Sequence, residues 1–303
     1  MIQLFRDSMT ASTNGVLILN KPPGLTSHDV VHRVRRIVGQ RSVGHLGTLD
    51  PMATGVLPIL LGNMTRLAQF YLKSEKSYQG VIRFGFATDT YDAEGEPLGQ
   101  PQAFPRSLEQ LREISSRFCG IIEQMPPPFS AKKIQGVPAY KLARKKKEVP
   151  LQAIQVEIKE FEILSLENEH AAFRTRVGSG TYVRSIAHEL GRLVGCGAHL
   201  QALCRTSVAE FSLGEAHTLD ELELAAQRGE GETMLVHPRK LLPNMPSVTA
   251  SDEIAARIRH GQAVNLPELS RAPELKVFCG QRELLCIASR IAGTLVRPKV
   301  VFA

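Results

Sequence analysis

The most informative part of this 303-residue chain is residues 44–55, which read GHLGTLDPMATG. Glycines at 44 and 47 and the Asp50-Pro51 pair predict a loop whose backbone permits close approach of other groups. Asp50 is the only acidic residue between Asp29 and Glu75. Loops often carry function, whereas an isolated aspartate more often forms a turn or caps a helix. Spacing alone leaves both interpretations of Asp50 open.

The segments around this loop alternate between strand and helix patterns. In chain order they predict a strand at 15–19, a loop at 20–24, a helix capped by Ser27 and ended by Gly39, an apolar run at 56–61, a helix at 63–71 and a strand at 78–86. This order predicts a mixed α/β (α+β) architecture with a mixed central sheet.

The second half of the chain continues the pattern and then changes character. It predicts helices at 104–118 and 182–193, strands at 154–164 and 171–177, a proline-rich linker at 242–246, a helix at 251–260 and hairpin-like strands up to 302. We therefore predict a disordered extension at 1–10, a catalytic domain at 11–243 with an insertion at 124–150, and a small β-rich domain at 247–303.

The charge balance favours a polyanionic partner or an acidic membrane surface. Lysine and arginine number 37 against 30 acidic residues, a formal net charge of +7. No apolar run approaches the roughly 20 residues that span a bilayer, and residues 1–10 lack a signal-peptide pattern, so we expect a cytoplasmic protein.

The most basic window is residues 129–147, which contain no acidic residue. Its candidate RNA contacts are Lys132, Lys133, Lys141 and Arg144. A lysine-rich face is often only a solvated surface. Phe129 and Tyr140 favour RNA, since aromatic rings stack bases while cations follow phosphates.

Neither a metal nor a cofactor is expected. The five cysteines form no C-x-x-C pair, and their odd number argues against a complete disulfide framework. Asp50 also lacks the second carboxylate in its own sequence neighbourhood that a glycosidase uses as acid or base. If Asp50 acts on a glycosidic bond, it does so by another chemistry.

Residues 44–55 closely resemble the motif G-H-x-G-T-L-D-P-x-A-T/S-G of the TruB family of pseudouridine synthases. The similarity extends through 20–27 (NKPPGLTS), 76–78 (KSY), 88–90 (TDT) with Asp92 and Gly95, 124–132, 180–184 (GTYVR) and 198–200 (AHL). It covers nearly the whole chain up to about residue 242. Residues 247–303 resemble a PUA-like RNA-binding module only in size, position and strand-turn rhythm.

The resemblance implies a site for cofactor-free isomerisation of uridine 55 in the T loop of tRNA. It implies that Asp50 is the essential nucleophile or base and that Arg184 pairs with it, from which we expect a depressed Asp50 pKa. The implied substrate-binding residues are Tyr78 on the flipped uracil, His45 in the space the base vacates, Leu203 in the pocket wall and Lys21 at the cleft mouth. Arg205 joins the RNA-binding residues.

Ordinary structural roles are the alternatives for several of these residues. Tyr78 and Leu203 would also be typical of a hydrophobic core. His45 could make a hydrogen bond within the loop, and Lys21 could simply end a strand. The chain departs from the family where Leu203-Cys204-Arg205-Thr206 replaces Leu-Arg-Arg-Thr and where Lys146 replaces a glycine. Both departures change the contacts with RNA that the resemblance implies, and neither changes Asp50.

Two rival functions differ in partner and chemistry. An RNA-guided relative would act on ribosomal RNA with partner proteins, and a non-catalytic protein would bind or fold tRNA with the same cleft. The basic insertion favours a monomer that binds tRNA without an obligatory protein partner.

Overall fold

The computed structural model describes residues 13–130, 133–134, 137–138, 151–266 and 272–302, with backbone only for the two short pieces. Its strands in chain order are β1 (Gly15–Lys21), β2 (Val43–His45), β3 (Thr54–Leu61), β4 (Lys76–Phe84), β5 (Ala87–Thr88), β6 (Pro97–Leu98), β7 (Gly120–Gln124), β8 (Lys133–Ile134), β9 (Val137–Pro138), β10 (Ile154–Glu167), β11 (His170–Val177), β12 (Ala198–Val208), β13 (Phe211–Ser212), β14 (Ser247–Ala250), β15 (Val264–Asn265), β16 (Glu274–Cys279), β17 (Glu283–Ala292) and β18 (Leu295–Val301).

Five α-helices and several 3₁₀ turns connect these strands in the described part of the chain. The α-helices are α1 (Ser27–Val38), α2 (Leu108–Ser116), α3 (Val183–Val194), α4 (Leu219–Gln227) and α5 (Asp252–Arg259). The 3₁₀ segments are Gly62–Phe70, Leu213–Glu215, Gly231–Met234 and Pro238–Lys240. The helix predicted at 63–71 is thus a 3₁₀ segment.

A mixed sheet forms the larger unit, which confirms the predicted fold class. Its main path runs β1-β3-β12-β4-β11-β10-β7, with β2 beside β3 and β13 beside β12. β3 and β12 run parallel, whereas β4 pairs antiparallel with both β11 and β12. The parallel pair places Arg205 opposite Gly55, so β12 lies directly beside the end of the Asp50 loop.

The two long helices cover the larger sheet with apolar faces. Val30 and Val34 of α1 pack in one buried cluster with strands β1 and β3, and Ile186 and Leu190 of α3 pack in another with β4, β11 and β12. The cap of α1 is Thr26 rather than the predicted Ser27, because the Thr26 hydroxyl accepts the Asp29 amide hydrogen.

A second sheet confirms the predicted small β-rich unit at the C-terminus. Its order is β14-β16-β17-β18-β15, and α5 packs on it. Phe278, Ile287 and Phe302 from this unit share a buried cluster with residues of the larger one, including Leu46 and Phe211. The domain boundary at 243 stays a prediction, because the two sheets share a core.

Some predictions fall on parts of the chain for which no side chains are described. They concern the extension at 1–10 and the candidate RNA contacts Lys132, Lys133, Lys141 and Arg144. Among the described residues, no helix combines the length and the apolar character that crossing a bilayer requires.

Candidate active site

A small pocket of about 130 Å³ lies where the Asp50 loop, β4, β12 and the start of α3 meet. Its walls include four predicted site residues, Asp50, Tyr78, Arg184 and Leu203. They also include Thr48, Leu49, Ser130, Thr181, Tyr182 and Val183. The pocket is small, and both polar and apolar side chains line it.

The backbone around Asp50 is held from several sides. The Ser27 hydroxyl accepts the Leu49 amide hydrogen at 2.8 Å and donates to the Leu49 carbonyl at 3.1 Å. On the other side of Asp50, the Pro51 carbonyl accepts the Gly24 amide hydrogen at 2.9 Å. A loop held at both neighbours presents its side chain in a fixed place, as a preorganised catalytic group requires.

Lys21 belongs to this scaffold and does not reach out towards phosphate, contrary to our interpretation of it as a substrate-binding residue. The residue has no exposed surface, and its Nζ donates to the carbonyls of Pro22, Leu25 and Pro51 at 2.8, 2.6 and 3.0 Å. Burial lowers the pKa of Lys21 to about 8, against a smaller opposing effect of Asp50. The ammonium group therefore holds the Asp50 loop by its backbone.

Arg184 forms the predicted pair with Asp50 and does so with two nitrogens. Nη2 donates to Asp50 Oδ1 at 2.9 Å, and Nε lies 2.9 Å from Oδ2. The Arg184 side chain is 6% exposed and that of Asp50 is 32% exposed. The carboxylate is thus oriented from the protein side and accessible from the pocket side.

The pKa of Asp50 differs in direction from our expectation. Burial raises the pKa of Asp50 above the ordinary aspartate value, although Arg184 lowers it, and nearby Asp92 raises it further. The expectation of a depressed pKa is therefore wrong, because it considered the guanidinium and not the loss of water around the loop.

Asp92 is a site residue that the sequence reasoning did not identify as a partner. Its Oδ2 lies 3.3 Å from Arg184 Nη1, and its side chain is 4% exposed. Arg184 also donates to the carbonyls of Thr90 at 3.0 Å and Phe129 at 2.9 Å. Asp92 follows the TDT motif quoted for the resemblance, and that motif was the one available signal of its role.

The turn that carries Asp92 is braced against α3. Tyr91 has a positive φ of 66°, which is unusual for a bulky residue, and its ring stacks on His188 with centroids 3.7 Å apart. The Thr90 hydroxyl donates to Asp92 Oδ1 at 2.6 Å. These contacts fix Asp92 relative to the helix that bears Arg184.

Tyr78 and Leu203 form the apolar walls of the pocket. They lie on the neighbouring strands β4 and β12 and are 8% and 7% exposed. His45 is not among the residues that line the pocket, and it ends β2 at the start of the loop. Burial and the nearby Arg205 lower the His45 pKa, which favours the neutral imidazole.

Arg205 is buried with no exposed surface, so the structure does not place it as the RNA contact that we predicted. Its Nε donates to the Val56 carbonyl at 2.8 Å, and Nη2 donates to the Gly47 carbonyl at 2.9 Å. The Tyr78 side chain also hydrogen-bonds to it. Arg205 thus connects the Asp50 loop with β3.

Gly55 allows this arrangement by letting two backbones approach. Its φ is +101°, and a Cβ atom there would lie 2.2 Å from the Arg205 carbonyl oxygen. Any side chain at this position would push β3 away from β12. The glycine at the end of residues 44–55 is therefore required by the strand pairing beside the loop.

We expect Arg205→Met to lower the free energy of unfolding by about 2–4 kcal/mol, because several buried carbonyl groups lose their donor. Denaturant unfolding followed by circular dichroism measures this difference. Arg297→Met, which removes an exposed arginine on β18, is the matched control and should change stability by about 0.5 kcal/mol or less. Equal stability of the two variants would contradict the role given to Arg205.

Two family models match consecutive parts of the chain. The first, described as TruB family pseudouridylate synthase (N terminal domain), covers residues 35–183. The second, described as tRNA pseudouridylate synthase B C-terminal domain, covers residues 184–244. Together they include Asp50, Tyr78, Arg184 and Leu203.

Curated relatives are similar over most of their length. The chain is 44% identical to tRNA pseudouridine synthase B of Solibacter usitatus, over 95% of this chain and 99% of that protein. It is 42% identical to the protein of the same name from Geotalea uraniireducens, over 88% and 86% of the two chains. It is 37% identical to the protein of the same name from Azoarcus sp., over 96% of this chain and 95% of that protein.

Solved structures share the fold. A chain in "Structure of H/ACA RNP bound to a substrate RNA containing 2'-deoxyuridine" matches with a TM-score of 0.72 at 23% identity, over 100% of this chain and 87% of that one. A chain in "Crystal Structure of a Cbf5-Nop10-Gar1 Complex" matches with a TM-score of 0.71 at 25% identity, over 98% and 88%.

Proposed function

The chain belongs to the TruB family of pseudouridylate synthases, and from this premise we propose that it isomerises uridine 55 in the T loop of tRNA to pseudouridine. The observation that carries the proposal is a small pocket in which Asp50, the one acidic residue among the described residues that line it, is oriented by Arg184. Relatives that match nearly end to end are named tRNA pseudouridine synthase B, which supports tRNA as the substrate.

The reaction needs a placed carboxylate and no external reactant. The C1′–N1 bond breaks, the base turns within the pocket, a C1′–C5 bond forms, and the proton lost from C5 is balanced by one gained at N1. Asp50 is positioned to capture or steer the intermediate between these bonds. Attack at C1′, attack at C6 and removal of the C2′ proton would all use the same carboxylate position.

The target base must leave its stack to reach this pocket, which costs on the order of a few kcal/mol. Tyr78 and Leu203 offer apolar surface that compensates for part of the lost stacking. His45, beside the loop, remains the residue we propose for the space vacated in the RNA. The basic window 129–147 is proposed to follow the phosphates.

We further propose a cytoplasmic monomer that acts without a protein partner. The basic window at 129–147 supports binding of tRNA without a protein partner. We assign catalysis to residues 11–243, with a PUA-like RNA-binding module at 247–303. The end of the second family model at residue 244 supports that division.

Incubation of the purified protein with a T-arm minihelix tests the function. Chemical mapping of pseudouridine should show modification at the position of uridine 55 without added cofactor, guide RNA or second protein. A minihelix with cytidine at that position controls for site specificity. Binding without any pseudouridine would support a tRNA-binding protein and contradict the proposal.

The acid side of the pH profile should reflect the raised pKa of Asp50. The reaction needs the carboxylate, so kcat/KM should fall as pH decreases through the Asp50 pKa, with a midpoint above 3.8. Rates measured from about pH 3 to pH 8 locate this midpoint. Arg184→Lys should move it upward, because Arg184 lowers the pKa of Asp50. A midpoint at or below 3.8 would contradict the assignment of Asp50.

A further inference from the structure

Helix α1 carries two histidines four residues apart, in the sequence His28-Asp29-Val30-Val31-His32. We expected no metal because we predicted no H-x-x-x-H pair of the metalloprotease type among the histidines, but His28 and His32 have this spacing. Residues at i and i+4 lie on the same helix face. The two side chains are exposed, and their Nε2 atoms lie 3.1 Å apart with the rings nearly perpendicular at 85°. The pair therefore brings two imidazole nitrogens together on one exposed helix face.

The separation of these nitrogens fits two neighbouring ligands of one metal ion. Imidazole nitrogens bind late first-row metals at about 2.0–2.1 Å, and a 3.1 Å separation then corresponds to an N–metal–N angle of roughly 100°. That angle lies between the values for square-planar and tetrahedral coordination. We propose that His28 and His32 bind one divalent Cu²⁺, Ni²⁺ or Zn²⁺ ion, with water at the other positions.

The surroundings favour binding over metal-dependent hydrolysis. The spacing resembles that of helical zinc proteases, but the intervening Asp29 accepts the Thr26 amide hydrogen at 2.9 Å and its hydroxyl hydrogen at 2.6 Å. Within the described ranges, no group of three or more His, Cys, Asp or Glu residues could hold a metal ion. The pair is therefore a two-histidine site of moderate affinity.

The helix that carries the pair is a rigid support. Val30, Val31 and Val34 are buried in the core, and the Thr26–Asp29 capping box fixes the first turn. A nearby cation, Arg33, is paired with Asp220 at 2.8 Å and does not compete for the site. Two ligands held by one rigid turn lose little conformational freedom on binding metal.

The site lies next to the support of the catalytic loop. Ser27 precedes His28 and holds Leu49, the neighbour of Asp50. The charge of His28 also contributes to lowering the His45 pKa, which places the two histidines in the same electrostatic environment. A bound dication would therefore add positive charge beside Ser27, the residue that supports the Asp50 loop.

Metal titration of the tag-free full-length protein tests the proposal. Calorimetry with Ni²⁺ should show one saturable site per chain, and the electron paramagnetic resonance spectrum of Cu²⁺ at that site should show two coordinating nitrogens. Loss of an outer-shell partner already costs about 10- to 100-fold in metal affinity, so His28→Ala and His32→Ala should each weaken binding at least as much.

His260→Ala is the matched control, because His260 is another exposed histidine at a helix end and should leave the affinity unchanged. Unchanged affinity in His28→Ala or His32→Ala would overturn the proposal. So would the absence of saturable binding in the wild type, which would leave the pair as a hydrogen bond between two imidazoles. Neither result depends on pseudouridine synthesis.

Discussion

Asp50→Asn should reduce pseudouridine formation in a T-arm minihelix by more than about 10³-fold while RNA binding survives. The amide keeps the shape of the carboxylate, but it can neither act as a nucleophile nor accept a proton as a base. Single-turnover assays with the mapped product measure the rate, and filter binding measures the affinity. Comparable losses of rate and affinity would indicate a binding residue instead.

The same substitution should not lower the melting temperature at neutral pH. Burial raises the Asp50 pKa in the folded protein above its unfolded value, so the folded state holds the proton more tightly. The ionised carboxylate therefore opposes folding above the folded pKa, and this opposition disappears as pH falls below the unfolded pKa. A large drop in melting temperature for Asp50→Asn would show that the carboxylate serves stability.

Arg184→Met should be the most destabilising of the proposed changes, at roughly 3–5 kcal/mol, because it leaves buried Asp92 without its cation. It should also abolish most activity, since Asp50 loses the group that orients it. Denaturant unfolding and single-turnover rates measure the two effects. The stability and the activity of Arg184→Lys should lie between those of the wild type and of Arg184→Met. An ammonium keeps the positive charge but cannot bind both carboxylate oxygens.

A matched control lies on the same helix. Arg192 is 66% exposed and paired with Glu189, so Arg192→Met should cost at most about 1 kcal/mol. The double variant Arg184→Met with Asp92→Asn should recover part of the lost stability, since the amide does not leave a buried charge. If the two arginine variants unfold alike, the buried network does not support the site.

Local patterns were sufficient to predict most elements of the fold. Buried faces carry apolar residues at the period of the element. This period is visible in the sequence of helices α1 and α3 and of strands β4 and β11. The 3₁₀ form of Gly62–Phe70 left no such trace, because its apolar spacing also suits an α-helix. The shared core between the sheets joins residues far apart in sequence, and local patterns carry no information about it.

The sequence predicted the site residues that lie in a family motif. It did not predict the roles of the buried charged residues around them. Asp50 and Arg184 meet as expected. The resemblance assigned Lys21 to the substrate and Arg205 to RNA, whereas both side chains donate hydrogen bonds to backbone carbonyls. Asp92 lies 42 positions from Asp50 in the chain, and only the fold brings both to Arg184.

The core shared by the two sheets also affects when the catalytic loop acquires its support during synthesis. Leu46, inside residues 44–55, is buried in the same cluster as Phe278 and Phe302. A ribosome makes the loop well before Phe302, so the buried cluster around Leu46 is incomplete until residue 302 has emerged. A nascent chain stopped at the linker would expose that apolar surface to water, and the loop would gain this support only once the second sheet had been made.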